Sequence, residues 1–67
     1  MENMVLRGKM AEKGVSQRDL AQKIRISENS LAAKIKGLRP FKVPEVIAIC
    51  RILEISDPAE QSHIFLH

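Results

Sequence analysis

The basic side chains are the most informative chemical groups of this chain, because they are concentrated in one part of it. Residues 1–42 carry ten of the eleven Lys and Arg against four acids, a net charge of +6, whereas residues 43–67 total −3. A basic segment of this size suits a polyanion such as DNA. A solvated surface that happens to be basic explains the same charge without any partner.

Side chains that could support catalysis or hold a metal ion are few and scattered. Cys50 is the single cysteine, and His63 and His67 lie near the C-terminus. A metal site needs more ligands at a defined spacing, and no Ser/His/Asp or Cys/His set shares a plausible pocket in so small a domain. We therefore predict no enzymatic activity, no metal, no cofactor and no small-molecule ligand, and we interpret Cys50 as a small core residue.

Length and composition limit the architecture. With 67 residues and 45% apolar side chains, we expect one domain, residues 1–67, and no second one. A single cysteine favours a reducing compartment, and no apolar run has the length of a membrane span or the layout of a signal peptide. We therefore expect a cytoplasmic protein without a membrane partner.

Apolar residues recur with helical periodicity, and capping signals divide the pattern into five helices. The predicted helices run from residue 3 or 4 to about 13, and over about 17–24, 28–36, 44–53 and 58–64. Ser16 and Ser27 are candidate N-caps, and Gly14 and Gly37 follow the ends of two helices. No segment alternates with a period of two for long enough to form a sheet. The predicted fold class is all-α.

Residues 16–37 hold two short helices joined by a tight turn, which is the spacing of a helix-turn-helix. In such a unit the second helix lies in the major groove, and the first points backbone N–H groups at a phosphate. The run SQRDLAQKIRISENSLAAKIKG resembles the helix-turn-helix of lambda-type phage repressors and Cro proteins. The residues that match this family are Ser16, Gln17, Leu20, Ala21, Ile26, Ser27, Leu31 and Gly37.

The resemblance covers nearly the whole chain, because the later segments LEIS and IFL are similar to those of small phage-type regulators of Firmicutes. It implies a compact five-helix lambda-repressor-like domain that binds double-stranded DNA. Two positions depart from the family pattern. Arg25 replaces a Gly, which costs roughly 1 kcal/mol at a left-handed turn position and leaves open a reshaped turn. Lys34 precedes the apolar Ile35, where many members have the apolar residue one place earlier.

The resemblance also implies contacts to the DNA backbone. Gln17 is similar to the phosphate-clamping glutamine of the family, at the start of the second helix. Ser16 and Ser27 are expected to contact phosphates together with the helix N-termini that they cap. Arg39 and Lys42, in the loop after the third helix, are further candidates for phosphates. The simple alternative for Gln17, Arg39 and Lys42 is a solvent-exposed polar side chain.

Base contacts are expected from the face of the third helix that points away from its apolar residues. The predicted base-reading residues are Glu28, Asn29, Ala32, Ala33 and Lys36, of which Lys36 is also a candidate for a phosphate. Asn29 can bond N6 and N7 of adenine, and Glu28 can accept from N4 of cytosine. The alanines permit close approach and could touch a thymine methyl group. Glu28 has a second explanation, since the helix dipole stabilises a carboxylate in a first turn without DNA.

The fourth helix and the C-terminal segment carry more apolar residues than one helix face can direct at a small core. A bundle that wraps this helix on several sides explains the excess, and so does self-association. One recognition helix specifies only a few base pairs, so we expect a homodimer. The expected dimer interface consists of Ile52, Ile55, Ile64, Phe65 and Leu66.

Together these features predict a sequence-specific transcription regulator, a Cro-like or phage or prophage repressor that binds a pseudo-palindromic operator through the major groove. An alternative from another class is a protein-interaction module that keeps the fold and binds a toxin, an antirepressor or a polymerase subunit. Duplex binding at moderate salt distinguishes the two.

Overall fold

Five α-helices form the secondary structure of the computed structural model, which describes residues 2–65. They are α1 (Met4–Lys13), α2 (Gln17–Ile24), α3 (Glu28–Ile35), α4 (Val43–Ile52) and α5 (Pro58–Phe65). Within residues 2–65 there is no β-strand. The predicted all-α class with five helices is confirmed. The one shifted start is that of α4, where Pro44 is the second helical residue and not the first.

Asn3 connects the beginning of the chain to the ends of two later helices. Its side-chain oxygen accepts from the Leu6 N–H at 3.0 Å and so caps α1. Its side-chain nitrogen donates to the Ile64 carbonyl at 2.8 Å, and its backbone N–H donates to the Ile35 carbonyl at 2.6 Å. Because carbonyls at helix ends have no partner within their own helix, Asn3 stabilises α3 and α5 as well as α1.

The first four helices are terminated in the same way. Each is followed within two residues by a left-handed residue, and the next N–H then bonds a carbonyl five residues back, as in the Schellman motif. The left-handed residues are Gly14, Arg25, Gly37 and Glu54, and the residues donating the second bond are Val15, Ile26, Leu38 and Ile55. These four donors are all apolar, which is the residue type that usually packs back on the helix at this position.

The turn between α2 and α3 keeps the left-handed conformation despite its unusual residue. Arg25 has φ 61° and ψ 43°, so the turn is not reshaped. The Arg25 N–H bonds the Gln22 carbonyl at 3.3 Å, and the Ile26 N–H bonds the Ala21 carbonyl at 3.0 Å. Ile26 is also half-buried against the core. These contacts offset a left-handed strain of roughly 1 kcal/mol.

The core takes at least one fully buried aliphatic side chain from every helix or from the residue that follows it. These side chains are Leu6, Leu20, Leu31, Ile35, Ile49, Leu53 and Ile64. Each contributes about 1.5–3 kcal/mol of burial free energy, before the entropy cost of ordering the chain. The core therefore fixes one face of α3 against the rest of the molecule.

Burial changes the expected dimer surface at two of its positions. Ile55 and Ile64 are 3% and 0% exposed within a single copy of the chain, so they offer no surface to a second copy. Ile52 and Phe65 are half-buried against the same core. The bundle thus wraps the end of α4 and the segment after it. Leu66, the remaining residue of the expected interface, lies outside the described residues.

Candidate nucleic-acid interface

Two serines cap the two helices of the helix-turn-helix. Ser16 Oγ accepts from the Asp19 N–H at 3.1 Å, and Ser27 Oγ accepts from the Ser30 N–H at 3.0 Å. Both serines are exposed. Capping uses the oxygen as an acceptor, so each hydroxyl proton can still be donated to a phosphate oxygen. The backbone N–H groups of the first turns add partial positive charge at the same points.

The outer face of α3 carries the five residues predicted to contact bases. At 100° per residue, Glu28, Asn29, Ala32, Ala33 and Lys36 span an arc of about 140° around the helix axis. Glu28, Asn29 and Lys36 are exposed, and the two alanines are half-buried. The opposite arc is buried and consists of Leu31, Lys34 and Ile35. The rotation of α3 is therefore set with its polar and small residues facing outward.

Lys34 is the residue of α3 whose position is least expected from its type. It occupies the inner arc, is 7% exposed, and its ammonium nitrogen lies 2.6 Å from both carboxylate oxygens of Glu45 on α4. Its charge is therefore not available to DNA, although the sequence counts it with the basic residues. The signal that could have located it is its spacing, three residues after Leu31 and one before Ile35, which is the buried face.

Glu45 also binds the backbone at the start of α4. Its Oε1 atom accepts from the Lys42 N–H at 2.8 Å, so one carboxylate joins α3, the preceding loop and α4. Burial raises the pKa of this carboxyl, but the hydrogen bonds from Lys34 and from the Lys42 backbone, together with their charges, outweigh it. The net pKa lies below its ordinary value. Glu45 is thus held in its ionised form.

Gln17, the expected phosphate clamp, is held by a residue that the sequence did not single out. Arg7 Nη1 donates to Gln17 Oε1 at 3.2 Å, and Arg7 Nε donates to Glu2 Oε1 at 2.7 Å. Gln17 is half-buried at the N-terminus of α2. The bond from Arg7 uses the amide oxygen, so the amide NH₂ is the end that can donate to a phosphate. No local spacing links residues 7 and 17, which is why only the folded chain identifies Arg7.

The loop after α3 presents two exposed cations on a fixed backbone. Arg39 and Lys42 are exposed, and Lys42 is held through its N–H by Glu45. Between them, Phe41 packs its ring against the edge of Phe65 with centroids 5.5 Å apart and an interplanar angle of 85°. This edge-to-face pair contributes about 0.5–1.5 kcal/mol beyond its burial and attaches the loop to α5.

Ion pairs divide the cations of the protein into two groups. Each Lys and Arg of α1 pairs with a carboxylate, and so does Lys34. Among the described residues, the cations between positions 18 and 42 that form no ion pair are Arg18, Lys23, Arg25, Lys36, Arg39 and Lys42. The positive charge that remains for a polyanion is therefore concentrated on the helix-turn-helix and the loop that follows it.

An apolar groove adjoins this loop. Leu38, Val43 and Ile47 are 75%, 72% and 53% exposed, and they line a cavity of about 790 Å³ together with Phe41 and Phe65. We call this cavity the Leu38 groove. Three exposed apolar side chains therefore line one groove next to the loop that carries Arg39 and Lys42.

Cys50 and His63 are the remaining candidates for chemistry within residues 2–65. Cys50 is a buried core residue, as predicted, and burial raises the pKa of its thiol. Across residues 2–65, no three His, Cys, Asp or Glu side chains come together in a way that could hold a metal ion. No helix in this range has the length and apolar character needed to cross a membrane. His67 lies outside the described residues.

A family model described as the Cro/C1-type HTH DNA-binding domain matches residues 5–60, a range that contains α1 to α4 almost entirely and the whole loop after α3. The curated proteins and the solved structures give no match.

Proposed function

Since the chain belongs to the Cro/C1-type helix-turn-helix DNA-binding family, we propose that this DNA-binding regulator is a repressor of the phage-repressor or Cro kind. In this proposal two copies bind a pseudo-palindromic operator and block transcription by occupying it. The observation that supports sequence-specific reading most directly is the outer arc of α3. It places exposed Glu28, Asn29 and Lys36 opposite the buried Leu31 and Ile35.

Base reading is assigned to this arc by the chemistry of its side chains. The Asn29 amide matches the donor and acceptor pair of adenine, and the Glu28 carboxylate matches the amino group of cytosine. Ala32 and Ala33 have short side chains, so the backbone of α3 can approach the floor of the groove. Lys36 is the cation nearest the C-terminal end of the arc, where it can contact guanine or a phosphate.

Phosphate contacts are assigned to groups on either side of α3. Ser16, Gln17 and the N-terminus of α2 form one group, with Arg7 orienting the Gln17 amide. Arg39 and Lys42 form the other, and Ser27 contributes at the N-terminus of α3. Phosphate contacts carry little sequence information, but they fix the protein on the duplex so that α3 enters the groove in one register.

We assign the dimer contact to the Leu38 groove, with a second copy of the chain as its occupant. A twofold axis brings the same patch of both copies together, so the apolar surface of Leu38, Val43 and Ile47 meets its own equivalent. The described chain measures 28 × 23 × 21 Å between Cα atoms. One such width plus a layer of side chains is comparable with the separation of about 34 Å between successive major grooves on one side of B-DNA.

Selection of bound duplexes from a random pool tests the proposal. The expected result is a pseudo-palindromic consensus whose half-sites are centred one helical turn apart. A consensus with a single half-site supports DNA reading by a monomer. No enrichment of any sequence at moderate salt contradicts the proposed function and favours the protein-interaction module.

A further inference from the structure

The buried pair of Lys34 and Glu45 lies directly behind the outer arc of α3. Lys34 is 7% exposed and Glu45 is 9% exposed, and the ammonium nitrogen of Lys34 is 2.6 Å from each carboxylate oxygen. The same carboxylate accepts the Lys42 N–H at 2.8 Å. One anion therefore holds both the helix expected to read bases and the loop expected to bind a phosphate.

We propose that Glu45 is a positioning residue that determines how strongly the protein prefers its operator to other DNA. It holds α3 and the backbone of Lys42 in one fixed relation, so that base contacts and phosphate contacts form together. This inference rests on the proposed function. The predicted base-reading residues touch DNA themselves, whereas Glu45 acts through Lys34 and Lys42.

The directionality of the contacts supports this role. Apolar packing is non-directional, so an apolar residue at position 34 would fill the space without fixing the rotation of α3 to the same degree. Hydrogen bonds weaken steeply with distance and angle, and three of them converge on one carboxylate here. Gain in stability is a weak explanation for the pair, because replacing a buried ion pair by apolar residues of similar volume is often neutral or stabilising.

The double variant Lys34→Met/Glu45→Met separates positioning from stability, because it removes both charges and retains the side-chain bulk. We expect a folded protein whose thermal stability is at or above that of the native chain. The ratio of its affinity for the selected duplex to its affinity for a random duplex should fall roughly tenfold or more, the share that one good base contact supplies. The affinity for the selected duplex should fall much more than the affinity for the random duplex.

A matched control removes an ion pair whose two residues are not assigned to DNA binding. Lys9 on α1 pairs with Glu60 on α5. The variant Lys9→Met/Glu60→Met should leave the affinity ratio unchanged, whatever its effect on stability. A purely structural role for Lys34 and Glu45 predicts the same behaviour for both double variants.

The outcomes are distinct. A folded Lys34→Met/Glu45→Met protein with the native affinity ratio overturns the positioning role while leaving the proposed function intact. An unfolded double variant also overturns it, since the pair would then be required for folding itself. If the native protein shows no sequence preference at all, the proposed function fails, and the positioning role fails with it.

Discussion

Arg7 Nη1 donates a hydrogen bond to Gln17 Oε1 across 3.2 Å and so joins α1 to the first residue of α2. Arg7 also binds Glu2, so its guanidinium is held from two sides. Gln17 stands at the N-terminus of the first helix of the helix-turn-helix. Because Arg7 bonds its amide oxygen, the amide NH₂ is the end that faces outward. In the proposed function, the phosphate clamp is thus formed by Arg7 and Gln17 together.

Replacing Arg7 by Ala should weaken binding to selected and random duplexes by the same factor. Loss of one oriented hydrogen bond corresponds to about a 2- to 10-fold change in affinity. Fluorescence anisotropy with both duplexes measures the effect. Lys13→Ala is the control, since it removes the same charge from α1 at a residue that pairs with Glu54, and it should not weaken binding. A loss confined to the selected duplex would place Arg7 in base reading instead.

Asn29→Ala and Gln17→Ala should weaken DNA binding in different ways. Asn29→Ala should cost about 1–3 kcal/mol on the selected duplex and little on random DNA, because it removes a contact to a base edge. Gln17→Ala should weaken both duplexes about equally, since phosphates are the same in every sequence. Titrations of each variant against both duplexes test this. Equal losses for Asn29→Ala remove it from base reading.

Arg39 and Lys42 should each be visible in the salt dependence of binding. Each phosphate neutralised contributes about −0.9 to the slope of log affinity against log salt concentration, so Arg39→Ala and Lys42→Ala should each make the slope shallower by about that amount. Lys42→Ala keeps the backbone N–H that Glu45 accepts. Lys13→Ala is the control, because Lys13 pairs with Glu54 and is not among the residues assigned to phosphates. A native slope near zero would contradict electrostatic binding altogether.

Ile47→Glu should convert the proposed dimer into a folded monomer. Ile47 is 53% exposed in the Leu38 groove, so a carboxylate there costs little in the single chain but opposes a second copy. Sedimentation of the free protein should show the monomer, and affinity for the full operator should fall far more than affinity for a half-site. Phe65 is a poorer choice for this test, because it packs against Phe41 in the same chain.

Met4→Glu is the matched control for this variant. Met4 is an exposed apolar residue of α1, 65% exposed, and it does not line the Leu38 groove. It should leave the native oligomeric state unchanged. If the native protein is monomeric both free and on its selected duplex, the dimer contact is refuted.

Acid should weaken the fold through Glu45. Its pKa is lowered in the folded state, so the ionised carboxylate stabilises the fold above the ordinary value of 4.5, and this contribution disappears as the pH falls through the folded pKa. The free energy of unfolding of Glu45→Gln should therefore be lower than that of the native protein near pH 6, and the difference should shrink on acidification. Urea unfolding of both proteins across this range measures it. A difference that is independent of pH would show that Glu45 is not ionised in the fold.

The helices could be predicted from the sequence because their signals are local. Ser16 and Ser27 cap the helices that follow them, and Gly14 and Gly37 are left-handed where two helices end. A capping residue and its partner lie within four positions of each other, so the local sequence predicts where a helix begins and ends.

The contacts that organise the candidate site could not be predicted in this way. Lys34 and Glu45 are eleven positions apart and on different helices, and Arg7 and Gln17 are ten apart. Their pairing depends on how the helices pack, which periodicity does not specify. Burial of Ile55 and Ile64 has the same origin, since an apolar excess does not reveal which faces the chain itself covers.

Leu38 differs from the other three apolar residues that close a helix. Val15, Ile26 and Ile55 pack against the core, whereas Leu38 is 75% exposed. In the proposed dimer this side chain is covered only when two copies meet. Operator occupancy then rises with the second power of protomer concentration while the protein is scarce, so a modest change in synthesis or degradation produces a larger change in repression. Because Leu38, just after α3, is left uncovered in a single copy, repression would begin only above a threshold concentration of the protein.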